Sequence, residues 1–92
     1  MADWTEDEYV RYLQDERRRY AWVRQRHGNL DAVQAEIAAA HRYPFEAVEA
    51  PHRGLVFHDE AWHWAMRDIH GDRYWISHPH LVEPSAEYEA LD

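Results

Sequence analysis

Residues 4–28 read WTEDEYVRYLQDERRRYAWVRQRHG, and this stretch decides the fold. Thr5-Glu6-Asp7-Glu8 has the spacing of a capping box, in which the Thr5 hydroxyl accepts from the Glu8 amide while the Glu8 carboxylate reaches back. Trp4 precedes the cap and Tyr9 lies four positions into the helix, the arrangement of a hydrophobic staple. Three acids open the segment, and Arg24, Arg26 and His27 close it, so both ends complement the helix dipole. Gly28 stands where a left-handed terminator is expected. The spacing predicts a helix over about 5–27.

Asp31 then caps a second helix over about 31–42, with Gln34 at the box position and a run of good helix formers, DAVQAEIAAAHR. Leu30, Val33, Ile37 and Ala40 recur at helical spacing and read as its buried stripe. Pro44 ends it by pushing Tyr43 out of helical geometry. The very short connection between the two helices implies an antiparallel hairpin.

Residues 43–57, YPFEAVEAPHRGLVF, combine Pro44, Pro51 and Gly54 with five large apolar side chains. They predict an ordered, hydrophobic crossover loop wrapped on the helices, with a short strand at 54–57. A third helix is expected over 59–70, between the cap Asp59 and the terminator Gly71. A fourth covers 72–77 before Pro79, and a short C-terminal helix covers 85–91. No repeat or low-complexity linker divides the chain. The predicted fold is a single all-α domain over 1–92, of three to four helices, with a core of Leu13, Tyr20, Val33, Ile37, Trp62, Met66 and Ile69.

Composition narrows the function. Ten Arg, no Lys and 18 Asp plus Glu give a formal charge of −8 with histidine neutral. Nucleic acid and anionic membranes are therefore poor partners, because both select positive surfaces. The absence of Cys excludes disulfides, thiolate catalysis and iron–sulfur sites. Thr5, Ser77 and Ser85 are the only aliphatic hydroxyls, which leaves almost no serine-type nucleophile. No apolar run approaches the roughly 20 residues of a membrane span, and the acidic start MADWTEDE is the opposite of a secretory leader. A cytoplasmic address is expected.

The five Trp are many for 92 residues. On the first helix, Trp22 points away from the Tyr9–Val10–Leu13–Tyr20 stripe; on the third, Trp64 points away from Trp62, Ala65, Met66 and Ile69. Either flanking loops cover both rings, or the rings anchor an interface with Arg18 and Arg26 beside Trp22 and Arg67 beside Trp64. The expected function is a noncatalytic interaction or regulatory protein without a cofactor, contacting a protein partner or forming a homodimer through these five residues. An alternative reading takes Asp59, Glu60 and His63 as ligands of a divalent transition metal, since Glu-x-x-His and i, i+4 spacings place them on adjoining turns. Only one usable Glu-x-x-His occurs, however; the second, Glu49 to His52, contains Pro51. A third reading, from bulk charge alone, is a neutraliser of a basic partner, in the manner of immunity proteins and antitoxins. Acid–base work by His58, His63 and Tyr74 ranks last, because no nucleophile–base–orienter set can be assembled around them.

Charge is also uneven. The two halves, 1–46 and 47–92, carry −2 and −6, and an acid-free run from Arg17 to Arg26 contrasts with the acidic tail 83–92. That basic helix end is expected either to meet the acidic tail or to be simply solvated. Protonating the eight histidines brings the formal charge to zero, so solubility should be poorest near about pH 5.5.

Overall fold

The computed structural model describes residues 4–91. It is all-α: α1 spans Glu6–Gly28, α2 Ala32–Arg42, α3 Ala61–His70, α4 Tyr74–Ser77 and α5 Ala86–Glu89. Two single turns of 3-10 helix, Leu55–His58 and Pro79–Leu81, fill the connections. No strand occurs among the described residues, so the segment expected to extend at 54–57 coils instead.

α1 is the central element, with α2 and α3 both packed along it. Its capping box forms as expected: Thr5 Oγ1 accepts from the Glu8 amide at 3.1 Å, and the Thr5 amide donates to Glu8 Oε1 at 2.9 Å. Trp4 and Tyr9 rings lie 5.8 Å apart, completing the staple. The helix end differs by one residue. Gly28 stays helical and Asn29 takes the left-handed conformation, φ 61°. A Cβ at Gly28 would sit 3.2 Å from Ile69, so this glycine serves close approach of α3 rather than termination.

Asp31 and Gln34 form the second capping box, and the hairpin follows from the three-residue turn. The face that α2 turns inward is the main departure from expectation. Ala35 and Ala39 are buried, whereas Val33 is 65% and Ile37 57% exposed. Of the predicted stripe only Leu30 packs against the core, while Val33, Ile37 and Ala40 face solvent. Small side chains let α2 lie close against α1, and the Val33–Ile37 side is then on the far side of the cylinder.

Elsewhere the expected core forms: Leu13, Tyr20, Trp62 and Met66 are buried, and Ile69 packs half-buried against them. Tyr9, Tyr43 and Tyr74 join them fully buried. Tyrosine is tolerated there because most hydroxyls find partners. Tyr9 Oη accepts from the Glu46 amide, and Tyr88 Oη accepts from the Trp62 amide. The polar side chains that interrupt the α1 stripe are absorbed likewise. Arg17 Nε donates to the Tyr43 carbonyl at 2.8 Å, and buried Glu16 pairs with Arg19 at 2.9 Å.

The crossover loop covers less than expected. Phe57 turns inward against Trp4, Tyr9, Tyr12 and Tyr43, but Phe45, Val48 and Leu55 stay exposed. α3 is capped at Glu60 rather than Asp59, which ends the preceding 3-10 turn. The 72–77 segment is helical only from Tyr74, and α5 begins where Ser85 caps the Tyr88 amide. No helix among the described residues is long and apolar enough to cross a membrane.

Candidate functional site

The two tryptophans singled out by sequence lie in different places. Trp22 is half-buried on α1, its ring 6.5 Å from Tyr88 and 6.3 Å from His27, with the Arg26 guanidinium 5.8 Å away. It lines an open groove of about 670 Å³ between α1 and α2. Arg17, Arg18 and Gln25 stand on the α1 wall; Ala32, Glu36 and Ala40 form the α2 wall, and Ala21 and Ala39 lie between them. Arg18 makes a single exposed contact with Asp15 at 3.4 Å, so its guanidinium keeps free donors. Arg26 is engaged by the tail, its Nη2 lying 2.7 and 2.6 Å from the two Glu87 oxygens. Of the two alternatives for the basic helix end, pairing with the acidic tail is present at this one contact. It is exposed, and such pairs contribute little stability.

Trp64 is held within the fold. Its indole Nε1 donates to the Val56 carbonyl at 2.9 Å, and the guanidiniums of Arg42 and Arg67 stand 4.3 and 5.4 Å from its ring. The crossover segment therefore takes the indole's only donor. Arg18 and Trp22 share one groove with Arg26 at its edge, while Trp64 and Arg67 belong to another part of the surface.

Asp59, Glu60 and His63 do not converge. An Asp59 oxygen lies 3.8 Å from Arg67, and His63 Nδ1 lies 2.5 Å from the Tyr74 hydroxyl. Among the described residues no group of three His, Asp or Glu side chains is placed to hold a metal ion. The His63–Tyr74 contact brings together two of the residues considered for acid–base chemistry. Burial raises the Tyr74 phenol above its ordinary range, which disfavours the phenolate.

Two features escaped sequence reasoning. The first is a gathering of histidines where α1 and α3 end. His70 and His78 rings stack with centroids 4.1 Å apart, and His80 follows 6.0 Å from His78. His27 joins from α1, against Trp62 at 5.2 Å, its Nε2 buried without a hydrogen-bond partner. His70 is pushed below the usual histidine range, first by burial and then by His78, His27 and His80. His27 is lowered by burial and by Arg26, against an opposing pull from Glu87. The proximity of His70 and His78 in sequence was a partial signal; the arrival of His27 depends on the tertiary fold.

The second is the outer face of α2, where Val33, Ile37 and Ala40 are exposed in one row. Ala40 also lines the Trp22 groove, so row and groove are continuous. The signal lay in the sequence as a second stripe, Ala35 and Ala39, opposite the larger one.

Searches against protein families, curated proteins and solved structures find no match for this chain.

Proposed function

We propose that this chain is a noncatalytic protein-interaction module whose contact surface is the α1–α2 face. The observation that carries this reading is the exposure of Val33 and Ile37, 65% and 57%, on a helix whose buried side is alanine. Large aliphatic side chains in a row are costly to leave in water, at about 25 cal/mol per Å² of apolar area, and such rows mark contact sites. The adjoining groove supplies what an interface needs beside an apolar row. Trp22 offers a large flat surface, Arg18 offers free donors, and Glu36 opposite adds charge of the other sign. Both walls are helices with side-chain caps, so the backbone of this surface is already ordered before any contact.

Site-specific photo-crosslinking in living cells tests the proposal. A photoreactive residue at Val33 or Gln25 should give discrete protein adducts, and the same residue at Asp72 should not. Adducts at Val33 should weaken when Trp22 is replaced by Ala. If positions 33 and 25 yield no adduct, the α1–α2 face is not a contact surface.

A further inference from the structure

We propose that the C-terminal segment 79–91 is an acid-released strap, held on α1 and α3 while His27 is neutral. One residue of α3 carries most of its anchorage. Trp62 donates its indole Nε1 to the Leu81 carbonyl at 2.8 Å and its amide to the Tyr88 hydroxyl at 3.3 Å. The buried Tyr88 ring lies 5.5 Å from Trp62 and 6.5 Å from Trp22. Outside these contacts stands the exposed pair of Arg26 with Glu87. His27 packs against both tryptophans, 5.2 Å from the Trp62 ring and 6.3 Å from the Trp22 ring. Its Nε2 is buried without a hydrogen-bond partner. The neutral ring accommodates this by carrying its proton on Nδ1 and leaving Nε2 bare. The imidazolium has a proton on both nitrogens, and a buried N–H without an acceptor costs most when it is charged.

The groups around the ring do not offset that cost. Arg26 comes from α1 itself, His70 from α3, and His78 and His80 from the turn that begins the strap; of these neighbours Glu87 on α5 alone is acidic, and both its oxygens are on Arg26. The His70 and His78 rings, stacked at 4.1 Å, repel once both are charged, so the same acid loosens the strap where it leaves α4. Released, His27 is solvated and titrates near about 6.5. Docked, it is held lower by burial and Arg26, so falling pH favours release. A group that takes its proton only on release weakens docking by up to about tenfold per pH unit. Docking is strongest above about pH 7.5 and is lost toward about pH 5.5. Release uncovers Trp62 and the tail side of Trp22, and the strap does not rest on what the α1–α2 face contacts.

The chain has no cysteine, so two spin labels can be placed at will. Gln14→Cys on α1 and Ala90→Cys on the strap are both exposed positions, and the distance between their labels, read by pulsed electron resonance in the full chain, tests the proposal. One narrow distance is expected at about pH 7.5, and a broad, longer population that grows several-fold by about pH 5.5. Over the same range α1 and α2 should keep their amide-exchange protection. His27→Phe, which leaves a ring against Trp62 but takes no proton, should cut the released population at the lower pH several-fold, and so should His27→Gln. His41→Gln, at an exposed position on α2, should leave it unchanged. A distance that does not alter with pH overturns the strap. Loss of protection in α1 and α2 in step with the label distance overturns local release in favour of unfolding of the whole chain. Release that is unaltered in both His27 variants overturns His27 as the group that controls it.

Discussion

The Tyr20 hydroxyl donates to the Asp68 carboxylate at 2.6 Å, tying α1 to α3. The same carboxylate accepts from Arg42 at the end of α2, with Nε at 3.1 Å, and Arg24 donates to the Tyr20 hydroxyl at 2.6 Å. One carboxylate thus joins all three long helices. Hydrogen bonds to charged groups contribute about 1.5–3 kcal/mol each at most, and the partial exposure of Asp68 and Arg42 reduces that. Asp68→Ala is expected to cost about 2–3 kcal/mol in urea unfolding and Tyr20→Phe about 1 kcal/mol. Losses that simply add in the double variant would show that the two groups are not coupled.

The inverted face of α2 gives a second expectation. Met66 is fully buried, so Met66→Ala should lower stability by about 2–5 kcal/mol through lost contacts and a cavity. Ile37→Ala, at a position equally apolar in sequence, should stay within about 0.5 kcal/mol at low protein concentration. Comparable losses at the two positions would contradict the burial described for α2.

Acid should weaken the fold before most carboxylates titrate. His27 and His70 both sit below the ordinary histidine pKa in the folded chain. The unfolded chain therefore takes up their protons first as pH falls through about 6.5, and stability is lost with it. The urea midpoint should fall between about pH 7.5 and 5.5, and His70→Gln should flatten that slope. Glu16, raised mainly by burial, acts in the opposite direction at lower pH, where the folded chain holds its proton more tightly. A midpoint constant across the upper window would remove the histidines from this role.

Gly54 holds φ +83°, and a Cβ there would run into the Trp4 ring. Gly54→Ala should cost about 1–3 kcal/mol from backbone strain alone and displace Trp4 from its place beside Phe57. Near-ultraviolet circular dichroism reads the second effect. Full stability with an unchanged aromatic spectrum would show that neither constraint operates.

The beginnings of α1 and α2 were legible because capping is local: Thr5 with Glu8, and Asp31 with Gln34, need no other part of the chain. The end of α1 was misplaced by one residue, since only the position of Ile69 on α3 shows what Gly28 is for. Periodicity defines the Val33–Ile37 stripe on α2, but apolar spacing alone places it inward, where the structure puts Ala35 and Ala39. Helix spacing decides that, and Ala35 and Ala39 allow an approach that Val33 and Ile37 would prevent. At the candidate site, Trp22 was visible as an aromatic off its stripe. The groove beside it, and the electrostatic influence of His27 on His70, required the hairpin and the third helix to be in place.

The central position of α1 has a kinetic consequence. Its pairing with α2 closes a loop of three residues, whereas α3 can dock only after the 18 residues 43–60 are drawn together. The difference in loop-closure entropy is about 1.6 kcal/mol, which favours the hairpin as the earlier structure. While α3 is absent, α2 keeps its outer apolar row and α1 bares the side awaiting Trp62 and Met66. A nascent chain would thus show sticky surface on both sides of the hairpin, and delay in the docking of α3 sets how long it is vulnerable to aggregation.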